Sequence, residues 1–235
     1  MQLLYVVLIF KKGGQMNFIR VISFLLVTSF LYIGCGSSGS NNGGIVQTTT
    51  SNDEVMQLSG LVLFVTERKH VGNFRDDPTL TGQNAIEKAD FFCNTDPGKP
   101  NNSQYKALLV DGIFRDAATK LDWVLQPDTT YYRPFDNKPI DTTDSEGIFN
   151  VHWEDMDNNI SDLDNTGPDS YLYPVWTGLT KDFTSYDSEN TCNGWSVDDN
   201  SRGIHGKSSR YNWTAFNCGT MNCSAPLYLY CVEQP

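Results

Sequence analysis

Histidine is scarce in this sequence, which contains three among 235 residues. His70, His152 and His205 are far apart, and none has the spacing from cysteine that thiolate zinc sites use. The sequence also lacks a G-x-S-x-G elbow, a phosphate-binding glycine loop and an H-E-x-x-H helix. We therefore predict neither a metal centre nor an enzyme, and His152, a candidate acid or base, is interpreted as a loop residue.

Basic side chains are few, with 17 Lys and Arg against 28 Asp and Glu. Lys11, Lys12 and Arg20 precede Cys35, so the chain after Cys35 has 14 basic and 28 acidic residues, a net charge of −14. Such a surface repels phosphate backbones, so no nucleic acid is predicted as a partner. Aromatic residues make up 12% of the chain, which is untypical of a disordered acidic polypeptide.

Long hydrophobic runs are absent too, because the apolar stretches 3–10 and 18–33 are shorter than the roughly 20 residues of a spanning helix. The second stretch has the layout of an export signal if translation starts at Met16. Its end, Gly34-Cys35, resembles the lipobox of bacterial lipoproteins, although Tyr32 stands where Leu is usual.

The lipobox resemblance implies a signal peptide over residues 1–35, with its true start at Met16 and a lipidated Cys35 that holds the mature protein on a membrane. Plain secretion and an uncleaved anchor are the alternatives. Residues 36–57 contain few large apolar side chains and predict a flexible polar tether. Residues 58–235 then have the length of a single domain.

An exported chain meets an oxidising compartment, in which disulfides persist. Five cysteines follow Cys35, so at most two bridges can form and one thiol is left over. These five are Cys93, Cys192, Cys218, Cys223 and Cys231.

A nearly continuous, β-branched apolar run predicts a buried strand at 61–66, and hydrophobic periodicity predicts an amphipathic helix over 81–93. The expected buried face of this helix consists of Ala85, Ile86, Ala89, Phe92 and Cys93. Further strands are predicted at 105–110, 122–125, 173–179, around Trp195 and at 227–232, with a long loop region over 126–174 that contains at most a few short strands. The pattern predicts an α+β fold with an antiparallel sheet, one or two helices and long loops. We expect core positions for Trp123, Trp176, Trp195 and Trp213.

Six sequence blocks occur in order between residue 60 and the C-terminus. They are ADFFC (89–93), YKALLVD (105–111), DWVLQPDTTYY (122–132), VWTGL (175–179), CNGW (192–195) and LYCVEQ (229–234). This series resembles the leptospiral endostatin-like surface lipoproteins, and the collagen-derived endostatin domain has similar blocks. The resemblance implies a C-type lectin-like (endostatin-like) fold for residues 58–235.

The same resemblance implies two disulfides, Cys93 with Cys231 and Cys192 with Cys223, and leaves Cys218 unpaired. A bridge from Cys218 to Cys223 that frees Cys192 is the alternative. A disulfide that closes a loop of 138 residues stabilises the folded protein by roughly 5 kcal/mol, and one that closes a loop of 31 residues stabilises it by roughly 4 kcal/mol.

In function, the resemblance implies an outer-membrane, cell-surface adhesin with a role in virulence. Its expected partners are host extracellular-matrix proteins (laminin, fibronectin), plasminogen or complement factor H. One alternative is a calcium- or carbohydrate-binding lectin, and another is a periplasm-facing structural lipoprotein or envelope enzyme. No oligomeric state is predicted.

No cofactor is predicted, but one acidic loop is a candidate for ligand or calcium binding, because calcium prefers clustered oxygen ligands. The loop residues are Asp155, Asp157, Asn159, Asp162 and Asp164. The loop departs from the EF-hand pattern, since Ile160 stands where glycine is needed and Thr166 where the bidentate glutamate is expected. A solvated loop is the simpler interpretation.

Overall fold

A mixed β-sheet organises the fold. The computed structural model describes residues 60–151, 155–161, 173–184 and 188–235. The strands are β1 (Leu61–Val65), β2 (Tyr105–Ala107), β3 (Thr130–Tyr132), β4 (Pro139–Thr142), β5 (Pro174–Trp176), β6 (Arg202–Lys207), β7 (Thr220–Asn222) and β8 (Tyr228–Glu233). Their order is β4-β3-β1-β8-β5-β6-β7, and β2 also pairs with β8. The chain is therefore an α+β protein rich in sheet.

The central strand is β8, and its position confirms the prediction of a strand at 227–232. It pairs in antiparallel register with β1 and β2, for example Phe64 with Cys231 and Lys106 with Val232. Since side chains alternate between the faces of a strand, Leu229 and Cys231 lie in one hydrophobic core and Tyr230 lies in the other. One strand thus supplies both cores.

The predicted helix is confirmed as α1 (Ala85–Asn94), and its buried face consists of the five residues expected from the sequence. It begins later than predicted because Asn84 Oδ1 accepts the N–H of Glu87 at 3.0 Å, an N-cap that fixes the start. Two short 3-10 helices lie at Ser188–Asn190 and Trp213–Ala215. In the part of the chain that the structure describes, no helix has the length and hydrophobicity that a membrane crossing requires.

Two predicted strands are wrong. Residues 122–125 form no strand, since Asp122 has a φ of 46°. Around Trp195 the chain forms a left-handed turn (Cys192–Trp195) in which all four φ angles are positive. Such a conformation costs about 1–2 kcal/mol per non-glycine residue, so it needs stabilising contacts. Burial of Trp195 and its hydrogen bond from Nε1 to the Val110 carbonyl, at 2.8 Å, supply two of them.

The sheet is mixed, whereas the sequence predicts an antiparallel sheet. Two pairings among the described strands are parallel, β1 with β3 and β5 with β8. Strands β6 and β7 were not predicted at all. In β6 a Cβ on Gly206 would lie 1.8 Å from the Ala215 carbonyl oxygen, so only glycine permits this packing.

Two hydrophobic cores lie on the two sides of the sheet. The cross-linked core contains α1, Trp176, Trp195 and the cysteines 93, 192, 223 and 231. The aromatic core contains Tyr131, Phe149, Phe183, Phe216 and Tyr230, together with aliphatic residues from the loops.

Candidate functional site

The structure confirms disulfide bonding and has the pairing that the resemblance implies. Cys93 is bonded to Cys231, and Cys192 to Cys223. All four cysteines are fully buried, so the bridges brace the interior and leave the surface free. The lipidation site predicted at Cys35, the start at Met16 and the tether 36–57 lie outside the described residues.

Cys218 is a free, half-buried cysteine. Its backbone N–H donates to the carbonyl of His205 at 2.7 Å, which places it beside β6. His205 is buried, and its Nδ1 has no hydrogen-bond partner among the described residues. Burial, with a smaller contribution from the charge of Lys207, lowers the pKa of His205, so this ring is neutral at neutral pH.

The described part of the candidate calcium loop is spread out. Asp155 and Asp157 are exposed, whereas Asn159 accepts hydrogen bonds from the Arg133 guanidinium through its backbone and side-chain oxygens. A cation therefore already contacts the oxygens of Asn159. Asp162 and Asp164 lie outside the described residues, as does His152. Within the described ranges, no three His, Cys, Asp or Glu side chains are grouped closely enough to hold a metal ion.

The prediction that four tryptophans are core residues is correct for Trp176 and Trp195, both fully buried, and Trp123 is partly buried. It is wrong for Trp213, which is 42% exposed. Trp213 belongs to a short 3-10 helix capped by Asn212, and this helix holds the indole at the protein surface beside Thr180 and Asn217.

The most prominent candidate binding feature is an apolar turn. Ile113 is 67% exposed and Phe114 is 50% exposed, although both follow the completely buried residues 108–110. Leu121, 47% exposed, lies further along the same loop, where an isolated antiparallel backbone pairing joins it to Asp116. We name residues 111–115 the apolar turn.

A single carboxylate fixes the backbone of the apolar turn. Asp111 Oδ1 accepts the N–H groups of Ile113 at 2.9 Å, Phe114 at 2.8 Å and Arg115 at 3.1 Å. Gly112 has a φ of 73°, which favours glycine. The Arg115 carbonyl accepts the N–H groups of Asp111 and Gly112 and closes the turn. The two exposed apolar side chains are therefore held on a rigid base.

Arg115 anchors this base in the interior. Its guanidinium is fully buried and donates to both carboxylate oxygens of Asp90 at 2.9 and 2.8 Å, to Asp122 and to the Ala107 carbonyl. Burial alone would lower the pKa of Arg115, but hydrogen bonds and charge from Asp90 and Asp122 raise it. Burial raises the pKa of Asp122, yet Lys106 and Arg115 lower it overall. Both members of the Arg115–Asp122 pair are therefore charged.

Exposed apolar side chains on a fixed backbone can act as an anchor for another protein, because little conformational freedom is lost when they bind. The apolar turn satisfies both conditions. The charged groups nearby are paired, since Arg115 forms ion pairs with both Asp90 and Asp122.

Sequence reasoning found the turn but missed its exposure. The pair Asp111-Gly112 predicts a turn, but Ile113 and Phe114 belong to residue types that usually lie in the interior. The only sequence feature that indicated their exposure was their position directly after the turn pair.

Residues 77–214 match the family described as protein of unknown function DUF1554. No curated protein matches the chain. The family match includes α1, the apolar turn and the strands from β2 to β6. Because the match extends over more than half of the sequence, the chain belongs to the DUF1554 family.

Proposed function

We propose that this protein is a lipid-anchored binding module of a bacterial outer membrane, an adhesin for host proteins, with a C-type lectin-like fold of the endostatin-like kind. The exposed, rigid apolar turn is the observation that carries the proposal. Solvent-exposed Ile113 and Phe114 on a braced backbone are typical of a recognition surface.

The partners proposed are extracellular-matrix proteins such as laminin and fibronectin, or the plasma proteins plasminogen and factor H. The net charge of −14 after Cys35 favours basic surfaces on the partner. Exposed apolar side chains on a protein of negative net charge fit a basic surface that contains a hydrophobic pocket. Charge accelerates the encounter, and burial of the two side chains slows dissociation.

A binding panel tests this proposal. Full-length protein is measured by surface plasmon resonance against laminin, fibronectin, plasminogen and factor H, beside a double variant, Ile113→Ser with Phe114→Ser. We expect the double variant to bind at least about 10-fold more weakly, since two anchor side chains are lost. Tyr211→Ser, which changes another exposed ring, is the matched control and should bind like the wild type.

Asp111→Ala sharpens the test, because it keeps both apolar side chains and removes the acceptor of three backbone hydrogen bonds. Weaker binding in this variant supports the need for a rigid turn. Wild-type affinity in the double variant at every partner would refute the role of the apolar turn.

Orientation needs a separate experiment. Protease treatment of intact cells should remove the protein if it faces the medium. Survival of the protein in intact cells, with cleavage only after lysis, would instead support a periplasm-facing lipoprotein.

A further inference from the structure

A second feature, a cleft of about 460 Å³, lies where the end of β1 approaches the starts of β5 and β8. Aromatic rings and polar groups both line it. Phe135, Tyr173 and Tyr228 supply the rings, and Ser161 and Glu67 supply a hydroxyl and a carboxylate. None of these residues belongs to the apolar turn. We call this feature the aromatic cleft.

The tyrosine wall of the cleft is preformed. The rings of Tyr173 and Tyr228 stack with 5.2 Å between centroids and 15° between planes. Ser208 holds Tyr173 in place, since its N–H and its hydroxyl both donate to the Tyr173 carbonyl. The Lys69 ammonium lies 4.7 Å from the centroid of Tyr228. A ligand that enters meets rings whose positions are already set.

The third ring, Phe135, is 49% exposed. The guanidinium of Arg133 lies 4.6 Å from its centroid. Arg133 is itself held by Asp136, through two hydrogen bonds of 2.8 Å, and by Asn159. Phe135 is therefore fixed from one side and open on the other.

A polar group of the cleft lacks a partner. Ser161 is 8% exposed, and no described residue makes a hydrogen bond with its Oγ. A buried hydroxyl without a partner is destabilising, so a ligand that supplies one gains affinity. Glu67 is exposed and forms no ion pair within the described residues, so its carboxylate can accept further hydrogen bonds.

These groups select among ligand classes. Lys69 and Arg133 already place cations against the aromatic rings, which disfavours a cationic ligand. The net charge of the protein disfavours a polyanion. A wholly apolar ligand would leave Ser161 without a partner. What fits is a neutral ring with an apolar face for aromatic contact and hydroxyl groups at its edge.

We propose that the aromatic cleft binds a neutral sugar residue, without calcium, with Phe135 and Tyr173 against the sugar ring and Ser161 and Glu67 bonded to its hydroxyls. The proposal is independent of the apolar turn and adds a second binding activity to the protein.

Saturation-transfer NMR on the full-length protein tests it, with glucose, galactose, mannose and N-acetylglucosamine as separate probes. At least one sugar should bind, with a dissociation constant of order 1 mM, and EDTA should leave the signal unchanged. Phe135→Ala should weaken binding about 10-fold. Ser161→Ala should weaken it about 3-fold to 10-fold without lowering the melting temperature, because that variant removes a buried hydroxyl that has no described partner.

Trp213→Ala is the matched control, since it removes an exposed ring at a different surface. It should bind sugar like the wild type, and so should the double variant of Ile113 and Phe114. The proposal is overturned by absence of transfer to all four sugars, by loss of the signal in EDTA, or by wild-type affinity in both cleft variants. Loss of host-protein binding in the apolar-turn variant leaves this assay unaffected, so the two proposals fail separately.

Discussion

The two cores of this protein are stabilised by different means. All four bonded cysteines lie in the cross-linked core, and none lies in the aromatic core. The aromatic core relies on ring contacts instead, such as the stacked Phe149 and Phe216 with centroids 5.8 Å apart. The difference follows from where the cysteines lie, because one bridge joins α1 to β8 and the other joins the left-handed turn to the residue after β7.

Covalent bracing acts in one core and packing in the other. The bridge between Cys93 and Cys231 closes a sequence separation of 138 residues, which no local interaction could do. In the aromatic core, Phe216 contacts Phe149, Phe183 and Tyr230, so one ring connects several segments by contact alone. Each core can therefore be weakened by its own class of substitution.

The largest expected effect is loss of the long bridge. The double variant Cys93→Ala with Cys231→Ala should lower the free energy of unfolding by about 5 kcal/mol. Urea denaturation measures the loss, and amide exchange should rise first in α1 and β8. Faster exchange in residues 124–151 than in α1 would contradict the assignment of this bridge to the cross-linked core.

Loss of the shorter bridge should have a smaller effect. Cys192→Ala with Cys223→Ala opens a separation of 31 residues and should lower the free energy of unfolding by about 4 kcal/mol. The left-handed turn depends on this bridge, so the near-ultraviolet circular dichroism of buried Trp195 should change as well. A cost larger than that of the long bridge would argue against the chain-entropy explanation.

In the aromatic core, Phe216→Ala should cost about 3 kcal/mol, because a fully buried ring is replaced by a cavity. Phe114→Ala, which truncates a half-exposed ring, is the control and should change stability by no more than about 0.5 kcal/mol. Equal melting temperatures for the two variants would show that the aromatic core is not stabilised by packing.

The smallest effect is a pH dependence on the cross-linked side. Burial raises the pKa of Asp77, but hydrogen bonds from Thr79 and His70 outweigh this and lower it to about 2. A depressed carboxyl pKa contributes stability above the unfolded value near 3.9, and this stability is lost as pH falls toward 2.

Asp77→Asn should therefore be less stable than the wild type at pH 6 by about 1 kcal/mol, a value reduced for solvent screening of a partly exposed group. The difference should shrink between pH 4 and pH 2, as measured by urea unfolding. A difference that is constant over this range would show that ionisation of Asp77 does not contribute.

Periodicity determined much of the fold from the sequence. The helix α1 and the strand β8 follow from repeated apolar positions and β1 from a continuous apolar run, because each is a continuous element with one consistent pattern. The pairing of cysteines came from the ordered resemblance blocks. The apolar run 122–125 led to a wrong strand prediction, because Val124 and Leu125 are buried in a loop that is held by a contact between Asp122 and Arg115.

Strand β6 and the left-handed turn were beyond sequence reasoning. The β6 sequence, RGIHGK, has low strand propensity, and it pairs because its glycines admit close neighbours. A Cβ on Gly203 would lie 2.6 Å from Cys192 Sγ, so glycine at this position of the strand leaves the space that the bridge occupies. Such requirements exist only when distant segments meet.

The sequence alone determined the acidic charge, the face of α1, the alternation of β8 and the turn at Asp111-Gly112, because each depends on neighbouring residues. Only the tertiary structure decided that Ile113 and Phe114 are exposed and that Ser161 lies in an aromatic cleft. Exposure and the shape of a cleft depend on which distant segments cover a residue. A local sequence pattern does not indicate which segments those are.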